Sequence, residues 1–230
     1  MLWLQFYLRK DCHPEPKLTI VKIFALGMLL APLAVGAQWL FAFLVAHFSP
    51  GFDISNSSTF YLWSAFSEEV VKFLAVYYLV MHSPEFDEPV DGMIYLVTAA
   101  LGFAAIENIL VGFRNIPDGI AITLQILALR TFGATLLHTI ASALVGYFLA
   151  LSWFHHRHSR KFLWCGIGCA TVFHFAFNAI LLNFSPLKGL IASSMVLFMM
   201  LALISILFAK LRERSASKLH GLSTQQDTMV

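Results

Sequence analysis

Ser67 to Val80 reads SEEVVKFLAVYYLV. The stretch is as apolar as a membrane-spanning helix, yet it carries two adjacent glutamates, Glu68 and Glu69, and a lysine, Lys72. The whole chain is of the same kind. Its 230 residues are 59% hydrophobic and 12% charged, with a mean hydropathy of +0.76, whereas soluble domains carry about 25% charged residues. Several apolar runs reach the roughly 20 residues that a bilayer crossing takes. The fold expected is all-α: a polytopic bundle of about six transmembrane helices, near residues 20–48, 58–81, 92–113, 128–153, 162–183 and 187–209.

Between the third and fourth spans, NIPDGIAITLQILALR (Asn115 to Arg130) turns at Pro117–Asp118–Gly119. It continues as a short apolar helix, re-entrant, interfacial or an extension of the fourth span. The organisation expected is a juxtamembrane segment (1–17), one transmembrane catalytic bundle (18–211) and a disordered cytoplasmic tail (212–230). There is no internal repeat. The amino-terminal apolar run precedes its positive charges, the reverse of a signal peptide. Lysine and arginine cluster in segments that share one side when the amino end is inside: Arg9, Lys10 and Lys17, then Arg157, Arg160 and Lys161, then Lys210 to Lys218. By the positive-inside bias both termini are cytoplasmic. Tyr77, Tyr78, Tyr95, Trp153 and Trp164 fall near inner boundaries, as an interfacial belt would. No stretch forms a nucleic-acid-binding patch, and the partner expected from composition is the bilayer. Cys165 and Cys169 are expected to be small packing residues, and the HHRH tract (His155 to His158) to be a solvated, lipid-facing basic loop.

Few strongly polar residues lie inside the spans: Glu68, Glu69, Lys72, Glu107, Asn108, His138, His174 and Asn178. At about 1.5 Å per residue, those on four different helices reach similar depth, slightly outside the midplane. The rows Ala134–His138–Ser142–Gly146 and Gly166–Ala170–His174–Asn178 surround each histidine with mostly small residues, so both histidines should face the bundle interior. Three unpaired ionised glutamates would cost on the order of 8–10 kcal/mol on the mild insertion scale. A Glu68–Lys72 ion pair at i,i+4 offsets part of this, but it does not account for two histidines and a third glutamate at the same level.

A carboxyl group in apolar surroundings suits a general base working near neutral pH. His174 and Asn178, one turn apart, could offer N–H donors to one oxygen. The set suits activation of water for peptide-bond hydrolysis, with or without a metal. Glu68 and Glu69 point about 100° apart, so one should face the water and the other a partner such as Lys72. Two other classes stay open: a proton-coupled transporter, which predicts repeated halves and broken helices that the sequence does not display, and a non-catalytic immunity or binding protein on the same scaffold.

EEVVK (Glu68 to Lys72), FAAIEN (Phe103 to Asn108), His138 on the next span and HFAFN (His174 to Asn178) stand in the order of the PrsW-type intramembrane proteases, which this chain resembles. That family is related to the CAAX-protease and bacteriocin-processing membrane glutamyl peptidases. YLRKDCHPEPK (Tyr7 to Lys17) resembles the segment that follows the family's first helix; a complete helix usually precedes it, where this sequence has eight residues, implying a start further upstream or a lost first span. The resemblance implies a bacterial plasma-membrane endopeptidase acting on a membrane-protein or peptide substrate, with regulatory trimming such as anti-sigma-factor cleavage among its tasks. It implies Glu68 as activator of the water, supported by Glu69, with His138 assisting proton transfer or holding the water. His174 and Asn178 would stabilise the oxyanion, and Lys72, Phe103, Glu107 and Asn108 would support the site or the substrate. Glu107 stands where the broader family usually has histidine; a zinc site formed with His138 and His174 and a metal-free glutamate mechanism both remain open.

Overall fold

In the computed structural model, residues 15–49, 51, 53–54, 57–154 and 159–227 are described, with side chains to residue 214. Among them there is no strand. Seven helices follow in order: α1 (Lys17–Phe48), α2 (Ser58–Leu79), α3 (Asp91–Asn115), α4 (Ile120–Phe132), α5 (Ala134–Phe154), α6 (Ser159–Asn183) and α7 (Pro186–Asp227), with a 3-10 turn at Ile116–Asp118. Five stretches are long and apolar enough to cross a membrane: Lys17–Phe48, Asp91–Asp118, Ile120–Phe154, Arg160–Asn183 and Pro186–Arg214. The 22 residues of α2 span about 33 Å, the thickness of a hydrocarbon core. It is the sixth membrane-length helix, and Glu68, Glu69 and Lys72 are what lower its hydropathy. The protein is a polytopic helical bundle integral to the membrane.

The centre is α3. Every residue from Asp91 to Ala104 is buried, and α3 packs against α1, α2, α4 and α5. Small residues make this possible. A Cβ on Gly102 would come 2.0 Å from the Phe24 carbonyl oxygen of α1, and one on Gly146 of α5 would come 2.6 Å from the Gly92 carbonyl oxygen of α3. The backbones therefore touch at both crossings, as small-residue interfaces allow in lipid. The outward faces of α1 and α7 are apolar and exposed, with Leu29, Trp39, Met195 and Phe198 among them.

Ser57 caps α2 by accepting from the Phe60 N–H. The loop before α3 is organised by Asp91, whose Oδ2 accepts from the backbone N–H groups of Asp87 at 3.0 Å and Glu88 at 2.7 Å.

Several expectations are corrected. Tyr95 is no belt residue: it is fully buried, its hydroxyl donating to the Glu15 carboxylate and lying 3.0 Å from the Glu85 carbonyl oxygen. Cys165 and Cys169 are exposed on α6, because the buried row of that helix runs through Gly166 and Ala170 instead. Helix α7 runs to Asp227; RERSASK holds helix formers and no proline to stop it. The short apolar segment is α4, separated from α5 only by Gly133, so of the three options it is nearest to an extension of the fourth span. Cys12, the HHRH tract and most of Tyr7 to Lys17 lie outside the described residues.

Candidate active site

α2 carries the adjacent carboxylates, and their 100° offset separates their surroundings. Glu69 is 1% exposed. Its Oε1 accepts from Lys72 Nζ at 2.7 Å and from His174 Nδ1 at 3.0 Å, and its Oε2 accepts from Ser142 Oγ at 3.0 Å. Glu68 has one engaged oxygen and one free. Oε1 accepts from Gln38 Nε2 at 3.1 Å and Ser64 Oγ at 2.9 Å; Oε2 is buried without a hydrogen-bond partner among the described residues. That orphan oxygen lies 3.9 Å from His138 Nδ1 and 3.6 Å from His174 Nε2.

The sequence pairs Lys72 with Glu68; the structure pairs it with Glu69, at i,i+3. A carboxylate in contact with Ser64 and Gln38 has turned away from the lysine. Lys72 is 0% exposed, also reaches His138 Nδ1 at 2.8 Å, and lies 5.0 Å from the centre of the Phe103 ring.

The hydrogen bonds assign the tautomers. An ammonium only donates, so His138 Nδ1 is an acceptor and its ring proton is on Nε2, donated to Glu107 Oε2 at 2.8 Å. Ionised Glu69 only accepts, so His174 carries its proton on Nδ1 and leaves the Nε2 lone pair toward Glu68. The two rings meet edge to face, 5.0 Å apart. Glu107 is held from the other side by Arg130 Nη2 at 2.9 Å. Arg130 Nε also donates to Asn108 Oδ1 at 2.8 Å, while Asn108 Nδ2 donates to Thr135 Oγ1 at 3.0 Å.

One donor atom from each of Glu68, His138 and His174 falls within 4.8 Å of the others. The sequence-level trio used Glu107 in place of Glu68. Glu107 stands behind His138, on the ring nitrogen that carries the proton, and Glu69 stands behind His174 in the same way. Those carboxylate–histidine contacts orient ligating imidazoles in metal sites. With the orphan Glu68 oxygen and the His174 lone pair, the donor set fits a divalent ion with three protein ligands and an open position. Lys72, now on His138 Nδ1, would yield that nitrogen and keep Glu69.

Asn178 is half-buried and makes no hydrogen bond with another described residue. Sequence reasoning missed Gln38, Ser64, Ser142 and Arg130 as partners. The offsets were a signal for two: Ser64 stands four residues before Glu68, and Ser142 four after His138. Gln38 and Arg130 reach the site only through tertiary packing.

A closed carboxylate–histidine centre where four membrane helices converge is the make-up of a membrane-embedded hydrolase. The profile of the PrsW family intramembrane metalloprotease matches residues 15–207, and the chain belongs to that family. Proteins named Protease PrsW are similar to it along most of their length. The one from Geobacillus kaustophilus (strain HTA426) is 29% identical over 177 residues, 77% of this chain and 73% of that protein. The one from Oceanobacillus iheyensis is 27% identical over 203 residues, 87% of each chain. The one from Bacillus subtilis (strain 168) is 26% identical over 179 residues, 76% of this chain and 75% of that protein. No solved structure matches. The chain is thus a peptidase of the membrane, acting on protein substrates there.

Proposed function

We propose that this peptidase hydrolyses peptide bonds of membrane-anchored or membrane-adjacent proteins by a water whose proton is taken at Glu68 Oε2. The observation that carries the reading is that orphan oxygen, buried and flanked by both histidines. Gln38 and Ser64 hold Oε1 and leave Oε2 free to accept. Glu69, paired with Lys72 and anchored by Ser142, holds His174 in one tautomer. Arg130 and Glu107 do the same for His138. Burial around the centre excludes bulk water, which strengthens each of these contacts. Asn178, one turn beyond His174, has an amide free to donate to the carbonyl oxygen of the bond being cut.

In the metal-bound alternative Glu68 Oε2, His138 and His174 would hold a zinc ion, and the ion, in place of the carboxylate base, would lower the pKa of its water to about 7 and polarise a carbonyl. Both termini face the cytoplasm of a bacterial plasma membrane in this reading, from the lysine and arginine bias. Trimming of a regulatory membrane protein such as an anti-sigma factor is the expected task.

The test compares amino-terminal peptides from membranes of cells with the wild-type protein, Glu68→Gln at matched expression, or neither. New termini in or beside transmembrane segments, present with wild type alone, support the reading. Identical sets of termini in all three would sink it. Metal content of purified wild type and His174→Ala decides the ion: stoichiometric metal lost in the variant supports zinc, and metal-free active protein removes it.

A further inference from the structure

The site is closed almost everywhere. Glu68, Glu69, Lys72, His138 and His174 are at most 5% exposed. The side chains of Glu107 and Arg130, 31% and 25% exposed, form one partly open edge and the half-buried Gln38 and Ser64 another, and Asn108 joins the Glu107–Arg130 edge to a groove. The groove, about 460 Å³, lies between α3 and α4 and is lined chiefly by Ile109, Gly112, Phe113 and Leu127, with Asn108 and Thr131 the polar residues nearest the site in sequence. A second recess of about 200 Å³ shares Asn108 and Thr131 and continues toward Thr135. The helix that forms one wall is lightly held: of the 13 residues of α4, only Thr123 is buried. Glycines bound it, Gly119 with a φ of 108° and Gly133.

We propose that this groove seats an apolar, membrane-embedded polypeptide segment of the substrate, beside the Glu107–Arg130 edge, before cleavage. The inference rests on the peptidase reading above and adds the side from which the substrate arrives. An acyl chain could fill the apolar part, but it brings nothing to the polar end. A peptide does: a helix that must open to be cut exposes main-chain N–H and C=O groups that lipid cannot satisfy. Asn108 answers both. Its amide uses one N–H on Thr135 and accepts one bond from Arg130, which leaves a second N–H and a second lone pair. The apolar length of the groove and its polar end thus match an unwinding transmembrane segment.

The experiment places a benzophenone amino acid at Phe113, in the groove and 70% exposed, or at Phe198 on the far-side helix α7, 68% exposed. Both are made in full-length Glu68→Gln protein in cell membranes and irradiated. The probes are the membrane polypeptides whose new termini depend on Glu68 in the comparison above. Position 113 should capture those polypeptides at least tenfold more than position 198. In a parallel measurement with one such polypeptide and purified protein, Gly112→Leu should raise KM about tenfold with kcat within about twofold, the pattern of lost uniform binding. Gly36→Leu, on α1 where a side chain meets nothing within 4 Å, should change neither. Equal capture at both positions, phospholipid adducts alone at position 113, or an unchanged KM in folded Gly112→Leu would overturn the inference while leaving the peptidase reading intact. Absence of Glu68-dependent termini would overturn both.

Discussion

Glu69→Gln is the substitution whose consequences the structure defines best. The wild-type carboxylate neutralises Lys72 at 2.7 Å, with both side chains 0% exposed. Removing its charge leaves an ammonium with no compensating carboxylate in contact, since Glu68 Oε1 is turned to Gln38 and Ser64. Breaking a buried pair from one side costs about 3–5 kcal/mol, because the remaining charge stays desolvated. His174 also loses an ionised partner, and a hydrogen bond to a charged group is worth about 1.5–3 kcal/mol. The two losses share one carboxylate and do not add in full. The expected destabilisation is therefore about 3–5 kcal/mol, or two to three and a half powers of ten in the folding equilibrium. The assay is reversible unfolding in mixed micelles, followed by helix content, for wild type, Glu69→Gln, Lys72→Met and the double variant. Removing both charges should recover most of the loss, since no uncompensated buried charge remains. Peptide cleavage should stay impaired in the double variant, because His174 remains without its anchor. A Glu69→Gln protein as stable as wild type, or a double variant no more stable than the single one, would refute the pairing.

Glu68→Gln should leave the fold intact and lower kcat by about 10²–10⁴, the range for loss of a positioned base, measured on a cleaved membrane polypeptide. Glu107→Gln should weaken metal binding about 10- to 100-fold through the His138 ring, read by competition with a chromogenic chelator. Gly102→Ala should destabilise by at least about 1–3 kcal/mol, since its Cβ would overlap the Phe24 carbonyl oxygen; micellar unfolding should show Gly36→Ala to be far milder.

The helices were legible because the apolar runs are long, and the convergence of polar residues was legible because depth follows from counting along each run. The histidine rows placed both rings inward, as the structure has them. What a single helix cannot show is which of two adjacent carboxylates takes the lysine. Lys72 stands three residues from Glu69 and four from Glu68, and both spacings permit a pair. The choice is made by Gln38, thirty residues away on α1, and by Ser64, which together draw Glu68 aside. Arg130 was equally hidden: its link to Glu107 and Asn108 exists because α4 folds back along α3, and no periodicity encodes that return.

The paired glutamates make sense as a division of labour. A single carboxylate could balance Lys72 or present a free oxygen to a water, but an oxygen that balances an ammonium is no longer free to accept a proton. With two, Glu69 keeps the buried cation neutralised and His174 oriented while Glu68 holds an oxygen in reserve. A purely structural ion-pair network would engage all its acceptors, because an unsatisfied buried oxygen is costly. Here the engaged acceptors surround the one that is not: both histidines, each backed by its own carboxylate, turn toward Glu68 Oε2. In the proposed mechanism the stability given up at that atom is retained because the group it accepts from is the reacting water.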